Sequence, residues 1–249
     1  MKVLATYNIK GGVGKTSAAV NLAALAARSG LRTLVWDLDP QGSATFLLRV
    51  KPKVRGGVHK LIERRSDVED LLRGTDIEGL DLLPADFSYR HMDLALGEAK
   101  RPEATLAKVL GPVKADYDLA ILDCPPSISL VSESVFEAAD ALLVPLVPAT
   151  LSVRTFDQLV RFVHDQVARP PQIIAFFSMV DRRKRLHREV VEGLGRTCPQ
   201  VMTASIPAAS DVERMGVRRS PLVEFAPAST AARAYLGLWE ETVVRLGLR

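Results

Sequence analysis

Residues 8–17 read Asn8-Ile9-Lys10-Gly11-Gly12-Val13-Gly14-Lys15-Thr16-Ser17, directly continuing the apolar run "KVLATYNI" (2–9). An apolar strand that runs into a glycine-rich turn and then opens a helix on Lys-Thr is what phosphate binding needs. Gly11, Gly12 and Gly14 carry no Cβ, so the backbone there can wrap closely around an anion. The amides of residues 12–17, those of Val13 and Ser17 included, are expected to point inward at the positive end of the helix dipole. Lys15 is placed to reach the β- and γ-phosphates, and the Thr16 hydroxyl to ligate Mg²⁺. The general spacing G-x-x-x-x-G-K-[ST] nevertheless fails, because its first position falls on Ile9. A second lysine, Lys10, opens the loop instead, and ordinary phosphate-loop chemistry does not account for it.

Outward from the loop, short β-rich apolar runs alternate with longer helical stretches. Further strands are expected over 32–39, 80–84, 117–123, 141–147, 172–180 and 201–207. Helices are expected over 15–28, 102–110, 129–138, 152–168, 185–195 and 229–246. Gly30 suits the left-handed position that ends the first helix, and residues 49–58 read as a loop. This alternation predicts an α/β fold with a mostly parallel, twisted sheet covered by helices on both faces. With no repeat, no low-complexity tract and no linker, residues 1–249 read as one domain.

Composition narrows the class. The chain is 47% hydrophobic and 25% charged, as ordinary globular proteins are. No run reaches the ~18 apolar residues of a membrane span; "ALLVPLVPA" (141–149) is short and broken by Pro145 and Pro148. Met1 leads straight into the phosphate loop, so no signal peptide is expected. Two cysteines, Cys124 and Cys198, and four scattered histidines give no metal-site or disulfide spacing. The cytoplasm is the expected compartment. The net charge of +4 is modest, but it gathers in "DRRKRLHRE" (181–189) and "VRRS" (217–220).

One acid stands where phosphoryl transfer needs it, and two more close the second strand, where they could also simply cap a loop. Asp123 ends the strand "LAILD" at the carboxyl edge of the sheet, beside the phosphate loop, where an acid holds Mg²⁺ through water. Asp37 and Asp39 close the second strand, and alternation puts both on one face. Cys124 reads as a packing residue.

The loop K-G-G-V-G-K-T, together with "VWDLDPQGSAT" (35–45), "YDLAILDCPPS" (117–127) and "FAPASTAARAYLGLWEE" (225–241), resembles the ParA/MinD family of deviant Walker-A P-loop ATPases. The resemblance extends over nearly the whole chain and is closest to the ParA/Soj branch. It implies an ATP hydrolase that uses ATP and Mg²⁺. By that resemblance Lys10 is the signature lysine, which crosses a dimer interface to the nucleotide held by the other subunit. It makes Asp39 the residue that positions the attacking water, and it puts Asp37 near the metal's hydration shell. Pro125 and Pro126 belong to a switch that responds to the γ-phosphate. No arginine matches a transition-state role, so intrinsic hydrolysis should be weak and an adaptor protein should stimulate it.

The resemblance also implies a homodimer with ATP sandwiched at the interface and binding to double-stranded DNA without sequence preference. The candidate DNA residues are Arg182, Arg183, Lys184, Arg185 and Arg188, with Arg218 and Arg219 in a second stretch. Arginine and lysine contacts to phosphate give affinity without base reading. The plainer alternative for 181–189 is a solvated helix start partly paired with Glu189 and Glu192. For the base, Met179, Asp181 and Pro207 are the candidates. Ala208-Ala209 stands where the family commonly has Arg-Asn, so base contacts there are expected from the backbone. Tyr235, Leu238, Trp239, Val243 and Leu246 follow helical spacing and should dock on the core, so no membrane attachment is expected.

The implied function is an ATP-driven switch, nucleoid-associated, that positions or partitions a plasmid, a chromosome origin or a protein assembly. "SMVDRRKRLHRE" departs from the commoner "TMYDGRT", which weakens the expectation of chromosome segregation and raises that of cargo other than DNA. Two competitors remain: a regulatory ATPase acting only through protein partners, and a small-molecule ATP-dependent enzyme on the same scaffold.

Overall fold

Strands buried on both faces read as continuous apolar runs, and every run singled out above enters one sheet. The computed structural model describes residues 1–248 apart from 53, 55 and 64–66. Its strands are β1 (Lys2–Thr6), β2 (Thr33–Asp37), β3 (Arg73–Gly74), β4 (Leu80–Leu83), β5 (Leu119–Asp123), β6 (Ala141–Leu146), β7 (Gln172–Val180) and β8 (Val201–Pro207). They pair in the order β3-β4-β2-β5-β1-β6-β7-β8. Every pairing is parallel except that of β3 with β4.

The helices are α1 (Lys15–Arg28), α2 (Ser43–Leu47), α3 (Gly57–Ile62), α4 (Val68–Leu71), α5 (Met92–Gly97) and α6 (Thr105–Leu110). After them come α7 (Leu130–Ala138), α8 (Thr150–Gln166), α9 (Arg185–Thr197), α10 (Ser210–Arg218), α11 (Leu222–Phe225) and α12 (Thr230–Leu246). The six expected helices are all present. The short α2–α5, α10 and α11 were not anticipated, nor was two-residue β3. Of the loop expected over 49–58, residues 53 and 55 lie outside the described residues.

Strand alternation sends side chains to two cores. Val3, Ala5 and Tyr7 of the β1 segment join Trp36, Phe136 and Phe177 on one face. Leu4 joins Leu119, Ile121 and α1 on the other. Helix α1 lies close to the sheet because Ala18, Ala19, Ala23 and Ala26 are fully buried and small. It ends as expected at Gly30, whose φ is 91°. There the Gly30 and Leu31 amides donate to the Ala27 and Ala26 carbonyls at 2.9 and 3.1 Å, the paired bonds of a left-handed helix stop. Tyr235, Leu238, Trp239 and Leu246 of α12 are buried against this second core. Among the described residues no helix is long and apolar enough to cross a membrane.

Topology then fixes the site. β1 lies between β5 and β6, so the loop after it opens on the carboxyl edge of the sheet, where ligands of open α/β sheets bind. In register, Asp123 sits beside both Thr6 and Asp37. The phosphate loop and two of the three acids therefore share one edge.

Candidate phosphate-binding site

The loop is held from below. The Asn8 side-chain amide donates to the Pro145 carbonyl at 2.8 Å, and the Lys10 amide donates to Asn8 Oδ1 at 2.9 Å. Gly12 and Gly14 take φ of 69° and 96°. A Cβ on Gly14 would meet Ser178 Oγ at 2.8 Å and would sit on a left-handed backbone, so a larger residue would be strained there. No side chain caps α1, which leaves its first amides for a ligand.

Lys15 is only 7% exposed, and its Nζ donates to the Lys10 carbonyl at 3.2 Å. Burial lowers its pKa, while Asp123 pulls the other way. Asp123 is fully buried. Its Oδ1 accepts from Thr6 Oγ1 at 3.3 Å, and its Oδ2 is the one buried side-chain oxygen or nitrogen among the described residues with no partner. Burial, and next the neighbouring Asp37 carboxylate, push the Asp123 carboxyl up to about 8, against the Thr16 hydroxyl and Lys15. An orphaned buried carboxylate oxygen facing a hydroxyl suits a hard divalent cation. Among the described residues no three His, Cys, Asp or Glu side chains cluster to hold a metal. A cation here would therefore draw its other oxygens from water and its ligand, as Mg²⁺ with phosphates does.

Asp37 behaves differently. Its Oδ2 accepts from both the amide and the hydroxyl of Thr45 at 2.7 Å, and its Oδ1 accepts from the Asp39 amide at 3.3 Å. Its oxygens therefore brace the turn 38–45, and the Thr45 hydroxyl in turn accepts from the Ala85 amide. That turn sets Asp39 at the mouth, half-buried, with Oδ1 accepting from the Gln41 amide at 2.9 Å.

Gly11, Gly12, Gly14, Lys15, Thr16 and Ser17 share one cleft of about 620 Å³ with Asp39. Val13 lies buried beneath the loop. Pro126 closes the cleft beside Gly11, at 3.9 Å from where a Cβ would stand. The Tyr7 hydroxyl donates to the Ser127 carbonyl at 2.8 Å and ties this proline segment to the base of the loop. Cys124 is buried, its thiol pushed up by burial. Lys10 is half-exposed outside the cleft lining, and no carboxylate among the described residues pairs with it.

The base candidates separate. Met179 lines the cleft with a positive φ of 56°. Pro207 and Asp181 are not in that lining. Both Asp181 oxygens are taken by the Arg183 guanidinium at 3.0 Å, which holds the carboxyl down at about 2. The wall opposite the loop is instead α10, through Val212, Glu213, Met215 and Gly216, with Gln41, Ser43, Phe46 and Leu47 from the α2 side. Sequence reading missed both. α10 is nine residues long and buries only Met215, so it leaves little apolar signal in the sequence.

Of the basic residues, Arg183 pairs with Asp181 and Arg185 with Glu189, while Arg188 donates to the Arg182 carbonyl at 2.8 Å. Arg182, Lys184 and Arg218 are exposed. Arg219 turns back to donate to the Phe46 carbonyl at 3.2 Å.

A family model described as an AAA domain matches residues 1–172. The sporulation initiation inhibitor protein Soj of Bacillus subtilis is 32% identical over 96% of this chain and 97% of its own. The chromosome partitioning protein ParA of Myxococcus xanthus is 30% identical over 98% of this chain and 88% of its own. Among solved structures, cobyrinic acid a,c-diamide synthase of Mycobacterium smegmatis, with a bound ATP analog and magnesium, aligns with a TM-score of 0.83. It is 28% identical over 98% of this chain and 94% of its own.

Proposed function

The chain belongs to the ParA/MinD family of P-loop ATPases, and we propose that it is an ATP-dependent dimerising switch that binds DNA and partitions or positions a cargo. The observation that carries this reading is the pairing of two lysines on one loop. Lys15 is buried at the site, while Lys10 stands outside it with no carboxylate partner among the described residues. A cation beside a triphosphate site and free of local partners is available to a second subunit's nucleotide.

In this reading the loop amides, Lys15 and Thr16 hold the triphosphate, and the orphaned Asp123 oxygen takes up the metal's water. Mg²⁺ bound there supplies charge neutralisation on the transferred phosphoryl group. Asp37, tied to Thr45, braces the segment that carries Asp39, and Asp39 orients the attacking water. An adaptor protein would accelerate a step whose cleft no arginine lines among the described residues. An ATP analog bound in a solved homologue of 28% identity supports the nucleotide. The same homologue is a synthase, which keeps a small-molecule ATP-dependent reaction as the second reading. Soj and ParA, alike over nearly the full chain, favour the switch.

Two experiments test it. Lys10→Ala should bind ATP as a monomer with near wild-type affinity but lose roughly 30-fold or more in dimer affinity. Truncating one member of a buried charge pair costs ~2–5 kcal/mol, at ~1.4 kcal/mol per tenfold. Sedimentation with Mg-ATP, beside an ATP titration, measures both, and a variant that dimerises normally removes the trans role.

The second replaces Arg182, Arg183 and Arg185 together with glutamate. Binding to unrelated duplexes should weaken alike, with a shallower salt dependence, while basal ATP hydrolysis stays unchanged. Retained binding in an anisotropy titration would move the DNA surface away from the start of α9.

A further inference from the structure

Given the nucleotide reading of the cleft, we propose that Phe46 is the platform on which the nucleoside rests, its ring positioned by a clasp of Arg49 and Arg219. Three of the cleft's features converge on it. With the phosphates on the loop, the rest of a nucleotide meets the apolar wall made by Phe46, Leu47, Met179, Val212 and Met215. Phe46 is the one aromatic residue in that lining among the described residues, and it is 48% exposed while Thr45 and Leu47 beside it are buried. An aromatic ring left half-bare in a concave site is a surface for another flat apolar group.

The ring is also held. The Arg219 guanidinium lies 4.6 Å from its centroid, and Arg219 Nε donates to the Phe46 carbonyl at 3.2 Å. In exchange, Arg49 donates from Nε to the Arg219 carbonyl at 2.9 Å and from a terminal nitrogen to the Arg218 carbonyl at 3.1 Å. Each guanidinium thus serves the carbonyl end of the other's helix, α2 or α10, where cations are favoured. One face of the ring is covered by a cation, leaving the remainder to the cleft.

Backbone strain marks the same place. Arg49, Met179 and Arg219, with φ of 59°, 56° and 48°, are the only non-glycine residues of positive φ among the described residues. Met179 lines the cleft, and the other two form the clasp. Such conformations persist where the surroundings enforce them, and they gather at ligand sites. Arg219 is accordingly assigned to positioning the ring rather than to DNA phosphate.

The test compares Mg-ATP, Mg-ADP and Mg-tripolyphosphate by calorimetric titration. Phe46→Ala should weaken ATP and ADP by the same factor, roughly 5- to 150-fold by the usual worth of base–aromatic stacking, and leave tripolyphosphate unchanged. Phe46→Tyr should bind all three as wild type does. Arg219→Gly suits the left-handed backbone, so the fold should persist, with a smaller loss on the nucleotides alone. Unaltered ATP binding by Phe46→Ala overturns the proposal, as does an equal loss on tripolyphosphate, which would mean a collapsed cleft. A wild-type chain that binds neither ATP nor tripolyphosphate overturns the phosphate-site reading and this proposal with it.

Discussion

Replacing Asp39 with alanine is expected to lower ATP turnover by roughly 10²–10⁴-fold, the usual contribution of a positioned acid–base group, with ATP affinity within a few-fold of wild type. The expectation follows from where the carboxylate sits. Asp123, not Asp39, carries the unsatisfied buried oxygen at the cation position. Asp39 stands at the mouth, one oxygen on the Gln41 amide, where removal leaves no buried donor stranded. The turn that carries it is braced independently by Asp37 and Thr45. Phosphate release under single-turnover conditions measures the rate, and the same sample should stay dimeric for as long as ATP lasts. Wild-type turnover, or a variant that no longer binds ATP, would show that Asp39 has another role.

Lys15→Ala should weaken ATP by roughly 30- to 4,000-fold, the span that corresponds to ~2–5 kcal/mol for stranding a charged partner. Burial already depresses the Lys15 ammonium, and the partner its Nζ finds in the protein is the Lys10 carbonyl. A polyphosphate restores what burial removes. The contrast with Lys10→Ala makes the experiment specific, since that variant should leave monomer affinity nearly untouched. Unchanged ATP affinity of Lys15→Ala in a calorimetric titration would contradict the phosphate-loop assignment.

Seven of the eight strands could be read from the sequence because a parallel sheet covered on both faces leaves an unbroken apolar run for each. The exception, β3, is two exposed residues paired antiparallel to β4, too short for any pattern. The long helices declared themselves by periodicity, and α1 also by its Gly30 stop. The helices that escaped notice, such as α2 and α10, bury few residues and are set by contacts distant in sequence. The same distance divides the site. The glycines, Lys15 and Thr16 are neighbours in the chain, so their spacing was enough to place them together in one cleft.

Other features depended on the folded chain. That Asp37 spends its oxygens on Thr45 depends on how the turn 38–45 closes. Arg49 and Arg219 meet across 170 positions, and nothing local in either stretch announces it. The basic run 181–189 could be read as charge but not as pairing. The structure gives Arg183 to Asp181 and Arg185 to Glu189, exposed pairs of the kind that contribute little and that a polyanion can displace.

ATP is expected to close two copies of this chain around a pair of nucleotides. Sedimentation velocity of the wild-type protein tests it most directly, with Mg²⁺ and a non-hydrolysable ATP analogue, with Mg-ADP, and with no nucleotide. A 27.2 kDa monomer is expected without nucleotide or with ADP, and a species of twice that mass with the triphosphate. A chain that remains monomeric when saturated with the triphosphate analogue would contradict it.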